Sequence, residues 1–339
     1  MTNPVVAEAL RGERIESFHR GAGAVVDAVG RLVFAFGDVD RPIYPRSAVK
    51  ALQALPLVES GAADRLGLGD KDIALACASH SGEDKHVATA EAMLAKAGRK
   101  ESALACGMHW PISEAAARAL ARRGEAPSQL HNNCSGKHAG FICLACAQSI
   151  DPAGYVQPDH PAQRQVAAAL AETMGAKLDE ENRGMDGCSV PTYAVPLRAL
   201  ALGFARFGTG EGLPTSRRRA AARIRKAVAA HPDMIGGSGR FDTEIMTILG
   251  PLAFIKSGAE GTLCAAMPDK GLGFAVKVDD GAARAAQVMA AALLARFGAF
   301  EASLDPFVAP ALKNWNSVEV GILRPAGPLA QQAERHRET

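Results

Sequence analysis

The chain has 339 residues, 48% of them apolar, enough to bury one large core or two smaller ones. Its 38 basic and 36 acidic residues leave a net charge of +2, with no long block of one sign, which argues against nucleic acid as a partner. No apolar run reaches the ~18 residues of a membrane span, and Met1–Glu8 lacks the basic start and apolar core of a signal peptide, so we expect a cytoplasmic protein with no membrane partner. Seven cysteines (77, 106, 134, 143, 146, 188 and 264) form an odd, scattered set that fits reduced thiols better than a disulfide framework.

In chain order, residues 14–37 predict a hairpin: Ile15–Arg20 and Arg31–Phe36 alternate with period two around a turn at Asp27–Gly30. A helix is expected from Ser47 to Glu59, then a buried strand over Asp72–Ala78. Helical periodicity follows in Lys85–Ala97, Glu114–Arg123, Lys137–Gln148, Pro161–Met174 and Leu197–Phe207. A basic amphipathic helix, Ser216–Ala230, precedes the glycine-rich loop Ile235–Gly239 and a capped helix start at Asp242-Thr243-Glu244. Strands at 252–256, 261–266 and 273–278, a helix over Ala282–Phe297 and a strand over Val318–Leu323 close the set. Strands at both ends with helices between them predict an α+β fold: a largely antiparallel sheet with flanking helices and a helical insertion. We expect one unit over 1–330, sheet-forming at about 10–80 and 250–325 and mostly helical at about 81–250, followed by a disordered tail over 326–339.

Two strings point to acyl-transfer chemistry, Ser47-x-x-Lys50 and Lys256-Ser257-Gly258. Spacing of i,i+3 puts Ser47 and Lys50 on one face of a helical turn, where the amine can take the hydroxyl proton. A free lysine titrates near 10.4 and must be tuned toward roughly 7–8 to act as a base; Lys256 is the natural second cation, with no competing carboxylate in its string. Ser79, at the end of the 72–78 run, would form a second couple with Lys256, although Ser81 or Asp84 capping a helix explains part of the same loop. Two further strings are dense in polar groups. One is His131-Asn132-Asn133-Cys134-Ser135-Gly136-Lys137-His138 at a helix start; the other is Asp186-Gly187-Cys188, which would be a tight turn if it carried no function. From residues alone Cys134 and Cys188 are most simply two small buried thiols; were they to hold a metal, His138 would be the expected third ligand.

The Asn132–His138 string, Asp186–Pro191 and the Ser47/Lys50 turn together resemble the class 3, rhizobial-type L-asparaginases, called asparaginase II-like, over nearly the whole chain. That resemblance implies a fold similar to serine β-lactamases, penicillin-binding proteins and glutaminases, and hydrolysis of L-asparagine to L-aspartate and ammonia. It also implies two Ser-Lys couples, Ser47 with Lys50 and Ser79 with Lys256, a zinc ion on Cys134, Lys137 and Cys188, and a homodimer. Asp186 would then bind the substrate ammonium and Arg46 its carboxylate, with His138 and Asn133 nearby. Which serine attacks stays open. The rivals are a glutaminase or β-lactam hydrolase on the same fold and, from another class, a non-catalytic amino-acid or zinc-binding protein.

Overall fold

The computed structural model describes residues 2–298 and 300–332. Its twelve strands are β1 (Val5–Arg11), β2 (Arg14–Asp27), β3 (Leu32–Phe36), β4 (Pro42–Ile43), β5 (Arg183–Met185), β6 (Pro191–Tyr193), β7 (Val195–Pro196), β8 (Phe254–Ser257), β9 (Thr262–Met267), β10 (Leu272–Val278), β11 (Ala311–Lys313) and β12 (Glu319–Pro325). Eight of them build one antiparallel sheet in the order β11-β12-β1-β2-β10-β9-β8, with β3 also paired to β2. The α+β architecture expected from the strand-helix-strand order is the one observed.

Long β2 organises this sheet. Its first half pairs with β1, and its second half, from Gly21, pairs with β10 on one side and β3 on the other. The expected 14–37 hairpin is therefore only partly right: Gly23–Val26 meets β3, whereas Ile15–Arg20 lies against β1, a strand at the chain start that the sequence reading missed. Helix Ala283–Gly298 covers one face of the sheet and helix Leu197–Thr209 the other. With both faces covered, β9 is buried at every position, which is why it appears in sequence as an unbroken apolar run without alternation. Gly273 allows the second helix to approach: a Cβ there would stand 2.2 Å from the Ala205 nitrogen. Phe204 and Phe207 of that helix pack on Phe254 of β8, with ring centroids 6.0 and 5.1 Å apart.

The middle of the chain is mostly helical, with the hairpin β5/β6 and short β7 inside it. Expected helices appear at Asp84–Lys96, Glu114–Arg122, Ser135–Ala147, Pro161–Met174, Leu197–Thr209 and Thr215–Ala230. The strand expected over 72–78 is instead a helix, Asp70–Ala76. A seven-residue apolar run fits either period; here Gly69 starts the helix and donates its N–H to the Asp72 carboxylate at 2.9 Å. Of the segment expected as a disordered tail, Gly327–Gln332 forms a 3-10 turn with Leu329 buried, and residues 333–339 lie outside the described part. No helix among the described residues is long and apolar enough to cross a membrane.

Candidate active site

The expected Ser47–Glu59 helix is present in broken form, a 3-10 turn Arg46–Val49 running into helices Lys50–Gln53 and Leu55–Glu59. Arg46 enters that turn with φ of +52°, an uncommon conformation for a residue with a side chain. β8 ends against the same turn: a Cβ on Gly258 would lie 2.6 Å from the Pro45 carbonyl oxygen and 3.0 Å from the Ala48 nitrogen. Glycine after Lys256-Ser257 is thus what lets the two distant strings meet.

Lys50 is wholly buried. Its Nζ donates to the Ala78 carbonyl at 2.7 Å, to Ser79 Oγ at 2.9 Å and to Cys134 Sγ at 3.1 Å, so all three protons of an ammonium are placed. The structure does not reproduce the expected couples. Lys50 is bonded to Ser79, and the Ser47 hydroxyl, half-buried, has no hydrogen-bond partner among the described residues. Ser79 leaves the end of a helix instead of a strand, and its N–H is held by the Ile235 carbonyl of the glycine-rich loop at 2.9 Å. That loop is tied down further by Glu83, which accepts from the Ser238 N–H and hydroxyl at 2.8 and 3.0 Å. Although burial works against its charge, those bonds with Ser81 and Lys85 bring the Glu83 carboxyl down to about 2.

Lys256 is also buried, and its partner is a carboxylate the sequence reading passed over. Asp242 Oδ2 lies 3.3 Å from Lys256 Nζ and accepts the Ser257 N–H at 2.9 Å; Oδ1 accepts the Ser257 hydroxyl at 2.5 Å. The expectation of a lysine without a competing carboxylate is therefore corrected. Asp242 was visible in sequence only as a helix start, and nothing there linked it to a strand 14 residues further on.

On the other flank the β5/β6 loop presents Asp186 and Cys188 from a hairpin, not from a turn between helices. Arg46 Nε donates to Asp186 Oδ1 at 2.7 Å, so the two expected substrate-binding residues pair with each other. Burial disfavours the Asp186 charge, but Lys137 and Arg46 outweigh it and hold the carboxyl below its usual range. Cys134 and Cys188 are neighbours; Lys137 Nζ donates to Cys188 Sγ at 2.9 Å, and the Cys188 thiol donates to Asp186 Oδ2 at 4.0 Å. The neighbouring Cys188, with Lys50 and Lys137 beyond it, brings the Cys134 thiol well below its ordinary value, whereas Cys134 and burial push Cys188 up.

His138 is buried, Nδ1 against the Tyr155 hydroxyl at 2.6 Å, while Nε2 has no partner among the described residues. Burial, then Lys137 and Lys50, lower its pKa, so it is a neutral imidazole there. Asn132 is the structural asparagine of its string: its Oδ1 accepts the Cys134 N–H at 2.8 Å and its Nδ2 donates to the Cys106 carbonyl at 2.9 Å. Asn133 bonds only through its backbone, to His109 and His80, which leaves its side chain without a hydrogen-bond partner among the described residues. A cavity of about 360 Å³ opens beside the cluster; Arg46 lines it, and neither serine does.

A sequence-family model described as L-asparaginase II matches residues 7–325. No curated protein matches the chain. Among solved structures, a β-lactamase from Mycobacterium bovis is 16% identical over 82% of this chain and 94% of that one, with a TM-score of 0.41. A mutant simvastatin synthase from Aspergillus terreus is 13% identical over 76% and 86%, at 0.38. A crystal structure of Mglu is 19% identical over 82% and 66%, at 0.36.

Proposed function

The chain belongs to the L-asparaginase II family, and on that premise we propose that it hydrolyses L-asparagine to L-aspartate and ammonia through a β-aspartyl ester on Ser47. The observation that carries the proposal is the buried Lys50 bonded to one serine hydroxyl and one helical turn from another, unpartnered one. In the active form one of the three Lys50 protons has left, so the amine takes the Ser47 proton as Oγ attacks the side-chain amide carbon. Lys50 then returns that proton through the Ser79 hydroxyl to the departing nitrogen, the C–N bond breaks, and ammonia leaves. Water attacks the ester by the same route in reverse and frees Ser47. Arg46 and Asp186 carry opposite charges 2.7 Å apart, a set complementary to the carboxylate and ammonium of an α-amino acid. The family match and that pair favour an amino acid over a β-lactam.

Ammonia release measured side by side on asparagine and glutamine, with a chromogenic β-lactam as a third substrate, tests the assignment. We expect asparagine to be preferred by at least about tenfold in kcat/KM, a factor within reach of one methylene in a closed pocket. Turnover of the β-lactam with none of asparagine would overturn it.

We also propose that Cys134, Cys188 and Lys137 hold a zinc ion. Their donor atoms converge, and two sulfurs suit a borderline-soft cation. Among the described residues no group of three or more His, Cys, Asp or Glu is placed to hold a metal, so the proposed set depends on Lys137 as its third donor. Burial works against the Lys137 charge, but both sulfurs hold its pKa up, so loading has to release that proton and weakens in acid. The ion would add positive charge next to Asp186. Elemental analysis should find about one zinc per chain in protein purified without chelator, lost in Cys134→Ser. A metal-free, fully folded wild type with full activity would remove zinc from the account.

A further inference from the structure

Asp242 is a charge buried in the site, 5% exposed, to which neither the family strings nor the proposed reaction gives a task. It stands in the first turn of helix Phe241–Leu249 and spends both oxygens on one neighbour, the end of β8: the Ser257 N–H, the Ser257 hydroxyl and the Lys256 ammonium. Among the described residues Lys256 has one other acceptor, the Ser257 carbonyl at 2.7 Å. The charged and titratable groups that face it are Asp242 and Arg240 at that helix start, Lys50 from the Ser47 turn, Cys77 at the end of helix Asp70–Ala76, and Cys264, its register partner on β9. Two are basic, and burial raises the pKa of both thiols. Asp242 is the carboxylate among them.

Resting on the amidohydrolase reading, we propose that Asp242 is a positioning residue of the hydrolytic site, holding Lys256 as an ammonium and locking Ser257 so that β8 sets a fixed cation beside the Ser47 turn. Burial and the neighbouring cations draw the proton off Lys256, and Asp242 opposes them. Gly258 then transmits the placement, because the strand end rests directly on Pro45 and Ala48.

Asp242→Asn keeps the shape and the hydrogen bonds to Ser257 and removes only the charge. We expect kcat to fall about tenfold or more with a smaller change in KM, and the alkaline limb of the kcat/KM profile to move about one unit toward lower pH. Asp242→Glu, which retains the charge, should return the limb to its wild-type place even if kcat stays low. A limb unmoved in Asp242→Asn would make Asp242 a structural stitch only and overturn the proposal.

A second readout needs no substrate. A lysine with a lowered folded pKa costs the folded state stability below that pKa and costs nothing above the unfolded value of about 10.4. The Tm gap between wild type and Asp242→Asn should therefore be widest near neutral pH and close toward pH ~10. A gap constant with pH contradicts the coupling. Should wild type leave asparagine untouched, the function is wrong, and this gap still decides the role of Asp242. Should Asp242→Asn fail to fold, the double variant with Lys256→Gln is expected to refold because it deletes both charges; continued misfolding would overturn the proposal.

Discussion

Replacing Ser47 with alanine is expected to lower kcat for ammonia release from asparagine by about 10⁴-fold or more, the scale seen when a covalent nucleophile is deleted. The Ser47 hydroxyl has no hydrogen-bond partner among the described residues, so its removal strands no buried group and should change stability by less than about 0.5 kcal/mol. Ser79→Ala makes the contrast. It removes an acceptor of Lys50, and with it the proton route to the leaving nitrogen, so we expect a smaller loss of about 10²–10⁴. A coupled ammonia assay with a thermal melt on each variant separates the two. Near-normal turnover in Ser47→Ala would remove Ser47 from the reaction.

Lys50→Met should be equally inactive, and for a separable reason. Methionine fills nearly the same volume but has no nitrogen to move a proton, and it leaves the Ala78 carbonyl, Ser79 Oγ and Cys134 Sγ without their donor. One buried acceptor left unsatisfied costs about 1–3 kcal/mol, so denaturant unfolding should show a loss of that order beside the loss of turnover. Lys50→Arg refines the test. Arginine keeps the charge and the donors but cannot be deprotonated in a protein, so it should recover part of the stability and none of the activity. Turnover in Lys50→Arg within about tenfold of wild type would show that Lys50 acts only as a fixed charge.

Much of the helical middle was legible because its signals are local. Pro161 at the first position and Gly175 just past the end bound Pro161–Met174 with the residues predicted. Sequence failed where pairing is long-range or a run is short: β1 carries no turn signal that names β12 as its neighbour, and the apolar stretch within 72–78 was too short to tell a strand from a helix. The site shows the same division. Ser47, Lys50, Cys134, Lys137, Asp186, Cys188 and Lys256 could be picked out as residue types in strings, and the fold brings them into one region. Who bonds whom could not be seen. Lys50 reaches Ser79 because helix Asp70–Ala76 ends beside it, and Lys256 meets Asp242 because helix Phe241–Leu249 starts beside β8, neither of which is a matter of spacing.

The proposed reaction turns on a covalent β-aspartyl intermediate on one serine of a Lys50-centred site. Acid quenching during steady-state turnover of asparagine, followed by peptide mass spectrometry, tests it most directly. We expect a β-aspartyl adduct on the peptide that carries Ser47 and none on the peptide that carries Ser79. An adduct on Ser79 alone, or active turnover with no adduct on either serine, would contradict it.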